Sequence, residues 1–202
     1  MHIAELAIRE TGIRTMCLAG GVALNSVMNY QLYRRLKLRD IFTFPAAGDA
    51  GIAAGCALWA YATQERGLCR PQMRSSTLGQ TYTSNTVRKH LEGFLDQIDV
   101  EELTPAKVVE RSAQTLAKGH IIARFEGGSE YGPRALGHRS ILADPTFERM
   151  KDIINARVKF REPFRPFAPV IPLEDVPKVF EQEVPSPFML IKNRARYSVF
   201  CG

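Results

Sequence analysis

The chain has 202 residues, of which 45% are hydrophobic, and a formal net charge of +6. This length suits one large domain or two small ones, and the positive charge indicates an anionic partner such as a nucleotide, phosphate or nucleic acid. No run of about 18 apolar residues and no signal-peptide pattern occurs, so we expect neither a membrane span nor a secreted protein. The four cysteines, Cys17, Cys56, Cys69 and Cys201, lack C-x-x-C spacing, which argues against a zinc knuckle or a disulfide framework and favours the cytoplasm.

Residues 1–64 alternate short apolar runs with turns of small residues. The predicted elements, in order, are a strand at 15–19, a helix at 23–37, a strand at 41–44, a loop at 45–51 and a helix at 52–63. Such an order of strand, glycine turn, helix, strand, loop and helix is typical of an α/β domain.

Residues 65–77 are polar and contain Gly, Pro and Ser, which predicts a linker to a second domain at 78–202. The predicted elements of this second domain are an amphipathic helix at 87–98, a helix that begins at Thr104-Pro105 and ends before Gly119, a strand at 120–125 and a helix at 149–158. The apolar positions Met150, Ile153, Ile154 and Val158 are expected to form the buried side of the last helix. The second domain is therefore expected to be α+β.

Two segments, 125–140 and 155–169, combine cations with glycine, proline and phenylalanine. The cations are Arg124, Arg134, Arg139, Arg157, Lys159, Arg161 and Arg165. Guanidinium groups held on stiff segments suit phosphate or carboxylate, which they bind with paired hydrogen bonds. Composition alone leaves a plain basic surface as an equal alternative, and the Gly and Pro residues favour an anion site.

Three weaker signals allow alternative interpretations. Gly20-Gly21 could bring backbone N–H groups close to a phosphate, although a simple tight turn is favoured locally. Asp49, which precedes a helix, is interpreted first as a helix N-cap and second as a metal ligand. The four histidines are scattered, and only His138, which lies within the arginine-rich segment, is a candidate for a functional role. We expect it to be a structural or phosphate-binding group rather than an acid–base catalyst.

Four motifs occur in the order found in one known family. They are the segments 19–25 (AGGVALN), 45–51 (PAAGDAG), 131–145 (YGPRALGHRSILADP) and 155–169 (NARVKFREPFRPFAP). With these motifs the chain resembles the O-carbamoyltransferases of nodulation-factor and antibiotic tailoring, and the resemblance covers nearly its whole length.

The resemblance implies a fold and a reaction. Residues 1–64 would be the end of an actin-like ATPase-type domain, and residues 78–202 part of a YrdC-like domain. The YrdC-like domain of the family makes carbamoyl adenylate from carbamoyl phosphate and ATP. The actin-like domain, which carries a divalent metal such as iron, passes the carbamoyl group to a hydroxyl of a small-molecule or glycan acceptor.

The same resemblance assigns roles to residues. The expected catalytic clamp for the phosphates consists of Arg134, Arg139, Lys159, Arg161 and Arg165. The expected nucleotide and adenylate contacts are Gly20, Gly21, Asn25, Arg124, His138, Ser140 and Arg157. Asp49 falls on the metal-binding aspartate of the family. Stabilising several phosphate charges at once is a task for which an arginine clamp is suited.

The chain also departs from the family pattern. The paired metal-binding histidines and the closing segment of the YrdC-like domain have no counterpart in it. We therefore expect a piece of a longer enzyme that is inactive on its own, and that works with a separate N-terminal half or as a homo-oligomer.

Two rival functions remain open. One is a threonylcarbamoyl transferase that modifies tRNA. The other is a non-catalytic basic module that binds RNA or a protein, with aromatic side chains stacking on bases. Because Phe160, Phe164 and Phe167 lie between prolines, we expect them to pack the loop down instead, and nucleic acid is not the expected partner.

Overall fold

A computed structural model describes residues 1–64, 73, 75–181 and 186–196. The helices are α1 (His2–Thr11), α2 (Ser26–Arg35), α3 (Ile52–Gln64), α4 (Ser84–Leu91), α5 (Pro105–Ala117), α6 (Met150–Ile154) and α7 (Val176–Val179). The strands are β1 (Thr15–Leu18), β2 (Asp40–Thr43), β3 (Ile122–Phe125) and β4 (Arg139–Leu142). Short 3₁₀ turns span Gly21–Leu24, Asp49–Gly51, Glu92–Phe94 and Leu173–Asp175, and a π-helical turn spans Asn155–Lys159.

The described residues form two compact units. The first contains the described residues among 1–76, 130–134 and 172–196, and the second contains residues 77–129 and 135–171. Most of the predicted linker, together with Cys69 and Cys201, lies outside the described residues. The predicted boundary at 65–77 stays a prediction.

The first unit contains a β–α–β arrangement. Strands β1 and β2 pair in parallel, with Met16 opposite Ile41, and α2 connects them. The carbonyl oxygen of the Asn25 side chain accepts a hydrogen bond from the Met28 N–H at 3.0 Å and so caps α2. This arrangement confirms the predicted α/β rhythm, although the single helix predicted at 23–37 is divided at Asn25 into a 3₁₀ turn and α2.

The core of the first unit consists of apolar residues from α2, β2 and the turn between them. Its buried members are Leu32, Leu36, Leu38 and Ile41, and Ile8 of α1 and Met16 of β1 pack against them. Met28 and Leu32 of α2 and Leu36 at its C-cap are spaced four residues apart and lie in this cluster with Ile41 of β2, as expected where a helix covers one face of a sheet.

Helix α3 has no buried residue. The side chains of Ile52, Leu58, Trp59 and Tyr61 are all more than half exposed. Among the described residues, no helix is both long enough and apolar enough to cross a membrane.

The second unit contains the antiparallel pair β3–β4, in which Phe125 lies opposite Arg139. Helix α5 precedes it, and the Thr104 hydroxyl caps that helix by accepting a hydrogen bond from the Lys107 N–H at 3.4 Å. Gly119, with φ +80°, follows α5 and allows the chain to turn into β3. These features confirm the predicted helix and strand.

The predicted helix at 149–158 begins as α6 and widens into the π-helical turn Asn155–Lys159. Met150 and Ile154 are buried as predicted, but Ile153 is 37% exposed. The buried position next to Ile154 is occupied instead by a polar residue, Asn155, which is 1% exposed.

Candidate functional site

Two of the four motifs meet in the first unit. The Gly20 N–H donates a hydrogen bond to the Ala47 carbonyl at 2.8 Å, which ties the glycine turn (residues 20–25) to the loop at 45–51. Gly20 has φ +88°, a conformation that side chains rarely adopt. A Cβ atom at either Gly20 or Gly21 would meet nothing within 4 Å, so the backbone of the turn is accessible.

Part of a third motif, Tyr131 to Arg134, belongs to the same unit. The Tyr131 hydroxyl donates a hydrogen bond to the Ala50 carbonyl, and its ring meets the Phe44 ring edge-on, with centroids 5.7 Å apart. Arg134 Nη2 donates a hydrogen bond to the Leu24 carbonyl at 3.4 Å. Arg134 therefore lies at the glycine turn, although 110 residues separate it from Leu24 in the sequence.

A buried asparagine supports the glycine turn from beneath. Asn29 is 0% exposed, and its side-chain amide donates hydrogen bonds to the Ala23 carbonyl at 2.8 Å and the Leu190 carbonyl at 2.9 Å. No local sequence pattern indicates the roles of Asn29 and Tyr131, because these roles depend on the Leu190 and Ala50 carbonyls, which are distant in the sequence.

The favoured interpretation of Asp49 as a helix N-cap is wrong. Gly48 occupies the cap position and Asp49 is the first residue of the 3₁₀ turn, with no side-chain capping hydrogen bond. The second interpretation, a metal ligand, lacks the necessary neighbours: within residues 1–64, 73, 75–181 and 186–196, no group of three His, Cys, Asp or Glu side chains could hold a metal ion. One exposed carboxylate supplies too few donors, so the described residues do not fit a resident metal.

In the second unit, Arg139 holds the turn between β3 and β4. Its Nη1 donates hydrogen bonds to the carbonyls of Glu126 (2.7 Å) and His138 (3.0 Å), and its Nη2 to the carbonyl of Gly127 (3.0 Å). The guanidinium carbon also lies 3.5 Å from the centroid of the Phe125 ring. Both Nη groups of Arg139 are thus already engaged within the hairpin.

The other predicted residues of the hairpin are likewise engaged there. Arg124 forms an ion pair with Glu126. His138 Nδ1 lies 3.0 Å from the Glu126 carbonyl, and a Cβ atom added to Gly127 would approach that nitrogen to 2.9 Å. The Ser140 hydroxyl accepts a hydrogen bond from the Gly137 N–H at 2.9 Å. These contacts order the hairpin, so a phosphate-binding role for these residues stays a prediction.

Asp144 follows β4 in the same motif and forms a local turn. Its carboxylate accepts hydrogen bonds from the Thr146 N–H at 2.8 Å and from the Thr146 hydroxyl at 2.7 Å. These two hydrogen bonds lower the pKa of Asp144 below its ordinary value of 3.8, and the one from the backbone N–H has the larger effect.

The fourth motif forms what we call the arginine loop, residues 155–167. Asn155 accepts a hydrogen bond from Arg161 Nε at 2.7 Å through its Oδ1, and its Nδ2 donates to the Pro163 carbonyl at 3.3 Å and the Arg165 carbonyl at 3.0 Å. Arg161 Nη2 donates to the Pro166 carbonyl at 3.3 Å, and the guanidinium lies 4.5 Å from the centroid of the Phe167 ring. Arg161 Nη1 donates no hydrogen bond to any residue that the structure describes.

The remaining cations of the arginine loop are exposed. Arg157 and Lys159 lie on the π-helical turn, and the Arg165 side chain is 53% exposed with the Glu162 carboxylate 3.7 Å from its Nη1. A carboxylate at that distance on an exposed side chain does little to neutralise it.

The expectation that three phenylalanines pack this loop down is wrong for two of them. Phe160 is 83% exposed and Phe164 is 79% exposed, whereas Phe167 is 40% exposed and lies under Arg161. The loop is held by polar contacts to Asn155 instead of by apolar packing, which leaves two aromatic rings beside the cations.

The predicted site residues therefore occupy three clusters. Arg134 lies with Gly20, Gly21 and Asn25 in the first unit; Arg124, His138, Arg139 and Ser140 lie on the β3–β4 hairpin; Arg157, Lys159, Arg161 and Arg165 lie on the arginine loop. Convergence of all the cations on one anion stays a prediction.

Comparison with known protein families gives two matches. Carbamoyltransferase N-terminus matches residues 1–58, and Carbamoyltransferase C-terminus matches residues 113–199. The first match contains the glycine turn and the 45–51 loop, and the second contains the β3–β4 hairpin and the arginine loop.

Curated relatives are similar over most of the chain. The nodulation protein NolNO of Sinorhizobium fredii is 43% identical over 186 residues, 89% of this chain. The protein sll1178 of Synechocystis is 41% identical over 195 residues, 95% of the chain, and a 3'-hydroxymethylcephem-O-carbamoyltransferase of Streptomyces clavuligerus is 33% identical over 196 residues, 96% of the chain. The matched regions span only 26%, 32% and 35% of these three relatives, respectively.

Proposed function

Because the chain belongs to the carbamoyltransferase family, we propose that it supplies the phosphate-binding part of an ATP-dependent O-carbamoyltransferase. In this proposal it binds carbamoyl phosphate and the phosphates of ATP while carbamoyl adenylate forms. The carbamoyl group then goes to a hydroxyl of a small-molecule or glycan acceptor. One relative is named as a 3'-hydroxymethylcephem-O-carbamoyltransferase, a name that specifies transfer to an oxygen of a hydroxymethyl compound, and this supports a hydroxyl acceptor.

The observation that carries the proposal is the fixed guanidinium of Arg161. Its Nε and Nη2 are held by Asn155 and Pro166, and its guanidinium carbon lies 4.5 Å from the centroid of the Phe167 ring, while Nη1 donates to none of the described residues. A guanidinium held in one orientation loses little conformational entropy when it binds an anion. Lys159 and Arg165, both exposed on the same loop, add positive charge near it.

The glycine turn is the second proposed contact. The turn has no side chain at Gly20 or Gly21, and Arg134 lies at its Leu24 carbonyl. A nucleotide phosphate could approach such a backbone closely and pair with the guanidinium. For Arg139 we propose an indirect contribution, since its hydrogen bonds fix the hairpin turn instead of leaving a fork for the anion.

Calorimetric titration with carbamoyl phosphate and with ATP tests this proposal. Arg161→Ala and Arg134→Ala should each weaken binding by about 1.5–3 kcal/mol, the range for a hydrogen bond to a charged group. Arg88→Ala is the control, because Arg88 is an exposed cation, like Arg134, whose guanidinium is already paired with the Glu102 carboxylate at 2.8 Å. Unchanged affinity for both ligands in the two test variants would refute the proposal.

The exposed rings of Phe160 and Phe164 favour a second candidate function, RNA binding. Aromatic rings interleaved with cations suit base stacking on single strands, at about 1–3 kcal/mol per base. Binding of a single-stranded RNA that weakens steeply with salt, is lost in Phe160→Ala and Phe164→Ala, and occurs without ATP binding would favour this candidate. ATP binding with no RNA binding would exclude it.

The two described cysteines, Cys17 and Cys56, are free thiols. This supports the reducing cytoplasm as the proposed location.

A further inference from the structure

Asn155 is the most completely buried polar side chain of the arginine loop, at 1% exposed, and it contacts both arms of that loop. Its backbone carbonyl accepts a hydrogen bond from the Arg161 N–H at 3.0 Å, and its Oδ1 accepts one from Arg161 Nε at 2.7 Å. Its Nδ2 donates to the carbonyls of Pro163 and Arg165. One residue therefore fixes the beginning, the middle and the end of the segment 161–165.

The chemistry of these contacts requires an amide. The side chain must accept from a cation on one side and donate to two carbonyls on the other, and only Asn or Gln offers an acceptor and two donors on one terminal group. A carboxylate of the same shape would keep the contact with Arg161 but would turn an oxygen towards two carbonyl oxygens. Because the group is buried, water cannot relieve that repulsion.

The backbone around Asn155 is unusual as well. The π-helical turn Asn155–Lys159 ends at Phe160, which has φ +48° although it is not glycine. π-Helical turns are rare and are often found at functional sites, and a left-handed phenylalanine persists only where the surroundings hold it. The hydrogen bond from the Arg161 N–H to Asn155, directly after Phe160, provides that restraint.

We infer that Asn155 is a positioning residue that holds Arg161 and the segment 161–165 in the conformation that binds a phosphate. The inference rests on the proposed function for its ligand, but its structural part can be measured independently. Asn155 itself, being buried, acts through Arg161 and not by contact with the anion.

Limited trypsin digestion measures the structural part directly. The arginine loop contains three tryptic sites, the bonds Arg157–Val158, Lys159–Phe160 and Arg161–Glu162, whereas Arg165 is followed by proline. The last two of these bonds flank Phe160 and report on the segment that Asn155 holds. Cleavage through a briefly opened loop tracks the population of the open form. Asn155→Asp should raise the cleavage rate at these two bonds by about tenfold or more, equivalent to 1.4 kcal/mol in the opening equilibrium.

A matched control separates a local effect from general destabilisation. Asn29→Asp makes the same change at a fully buried asparagine that also donates to two carbonyls, in the first unit. It should lower the stability of the chain while leaving the early cleavage rate at Lys159 and Arg161 unchanged. If Asn155→Asp does not fold, Asn155→Ala is used in its place, because it removes the same Nδ2 donors without adding a charge.

The second readout is affinity for carbamoyl phosphate at a temperature where circular dichroism shows each variant folded. The folded Asn155 variant should bind about tenfold more weakly or worse, similar to Arg161→Ala. Unchanged cleavage, or an open loop that binds carbamoyl phosphate as well as the parent chain, would overturn the inference. If the parent chain itself binds no carbamoyl phosphate, the proposed function fails, and the cleavage rates alone decide whether Asn155 holds the loop.

Discussion

Gly132 provides the strongest test of how the third motif is anchored in the first unit. Its φ is +126°, a backbone conformation that L side chains rarely adopt. A Cβ atom at this position would lie 2.7 Å from the Pro45 carbonyl oxygen and 2.9 Å from its carbonyl carbon. Pro45 is buried, so its carbonyl has little freedom to retreat.

The loss of stability in Gly132→Ala has two sources, the backbone conformation of residue 132 and the steric clash with Pro45. A residue held in a sparsely populated backbone region costs about 1–3 kcal/mol. Ordinary contact begins at 3.4 Å, so the Pro45 oxygen would have to move by about 0.7 Å. Overpacking of this kind typically costs about 1–3 kcal/mol more. We therefore expect a loss of about 3 kcal/mol or more in the free energy of unfolding, or about 6–12 °C in Tm for a chain of this size.

Urea or thermal denaturation followed by far-UV circular dichroism measures this loss. Gly12→Ala is the matched control: Gly12 also has positive φ, at +70°, but a Cβ atom there meets nothing within 4 Å. It should cost only about 1–2 kcal/mol, the penalty of the left-handed conformation. Equal losses in the two variants would refute the proposed packing of Gly132 on Pro45, and with it the anchoring of Arg134 beside the glycine turn.

Three further predictions concern Asp144, Trp59 and metal content. An NMR titration should give Asp144 a pKa below 3.8. Thr146→Val should raise this pKa only part of the way back to 3.8, because the backbone N–H of residue 146 still donates to the carboxylate. The contribution of the Asp144 carboxylate to stability is present above pH 3.8 and disappears as the pH falls through the lowered pKa. The only tryptophan, Trp59, is 72% exposed, so its fluorescence in the isolated chain should be red-shifted and readily quenched by acrylamide; a blue-shifted, protected emission would mean that α3 is covered. Elemental analysis of the purified chain should find less than one equivalent of iron, zinc or manganese, and a tightly bound equivalent would reveal a ligand set beyond the described residues.

Local sequence patterns were sufficient for much of the secondary structure. The apolar run ending in Gly20-Gly21 predicted β1 and its turn, and Thr104-Pro105 with Gly119 predicted both ends of α5. Caps, turns and apolar periods depend on residues within a few positions of one another, so they can be recognised without knowledge of the fold. The order of the four motifs identified the family for the same reason, since each motif is a short continuous string.

The roles of individual side chains were less predictable. Asp49 looked like a cap, yet the turn begins one residue earlier, and Phe160 and Phe164 looked like apolar anchors, yet both rings are exposed. In each case the sequence offered a suitable residue type, while the backbone path decided which atom would point at which partner.

By itself, the sequence determined the mixed α/β character, the cation-rich motifs and the family, because these are properties of local pattern and composition. Only the tertiary structure decided that Arg139 is engaged by the hairpin turn, that Arg134 lies at a turn 110 residues earlier, and that Asn155 holds Arg161. The physical reason is that a guanidinium is chemically suited to a phosphate, a carbonyl or an aromatic ring alike. Which of these it contacts depends on the groups that the folded chain brings within hydrogen-bonding distance.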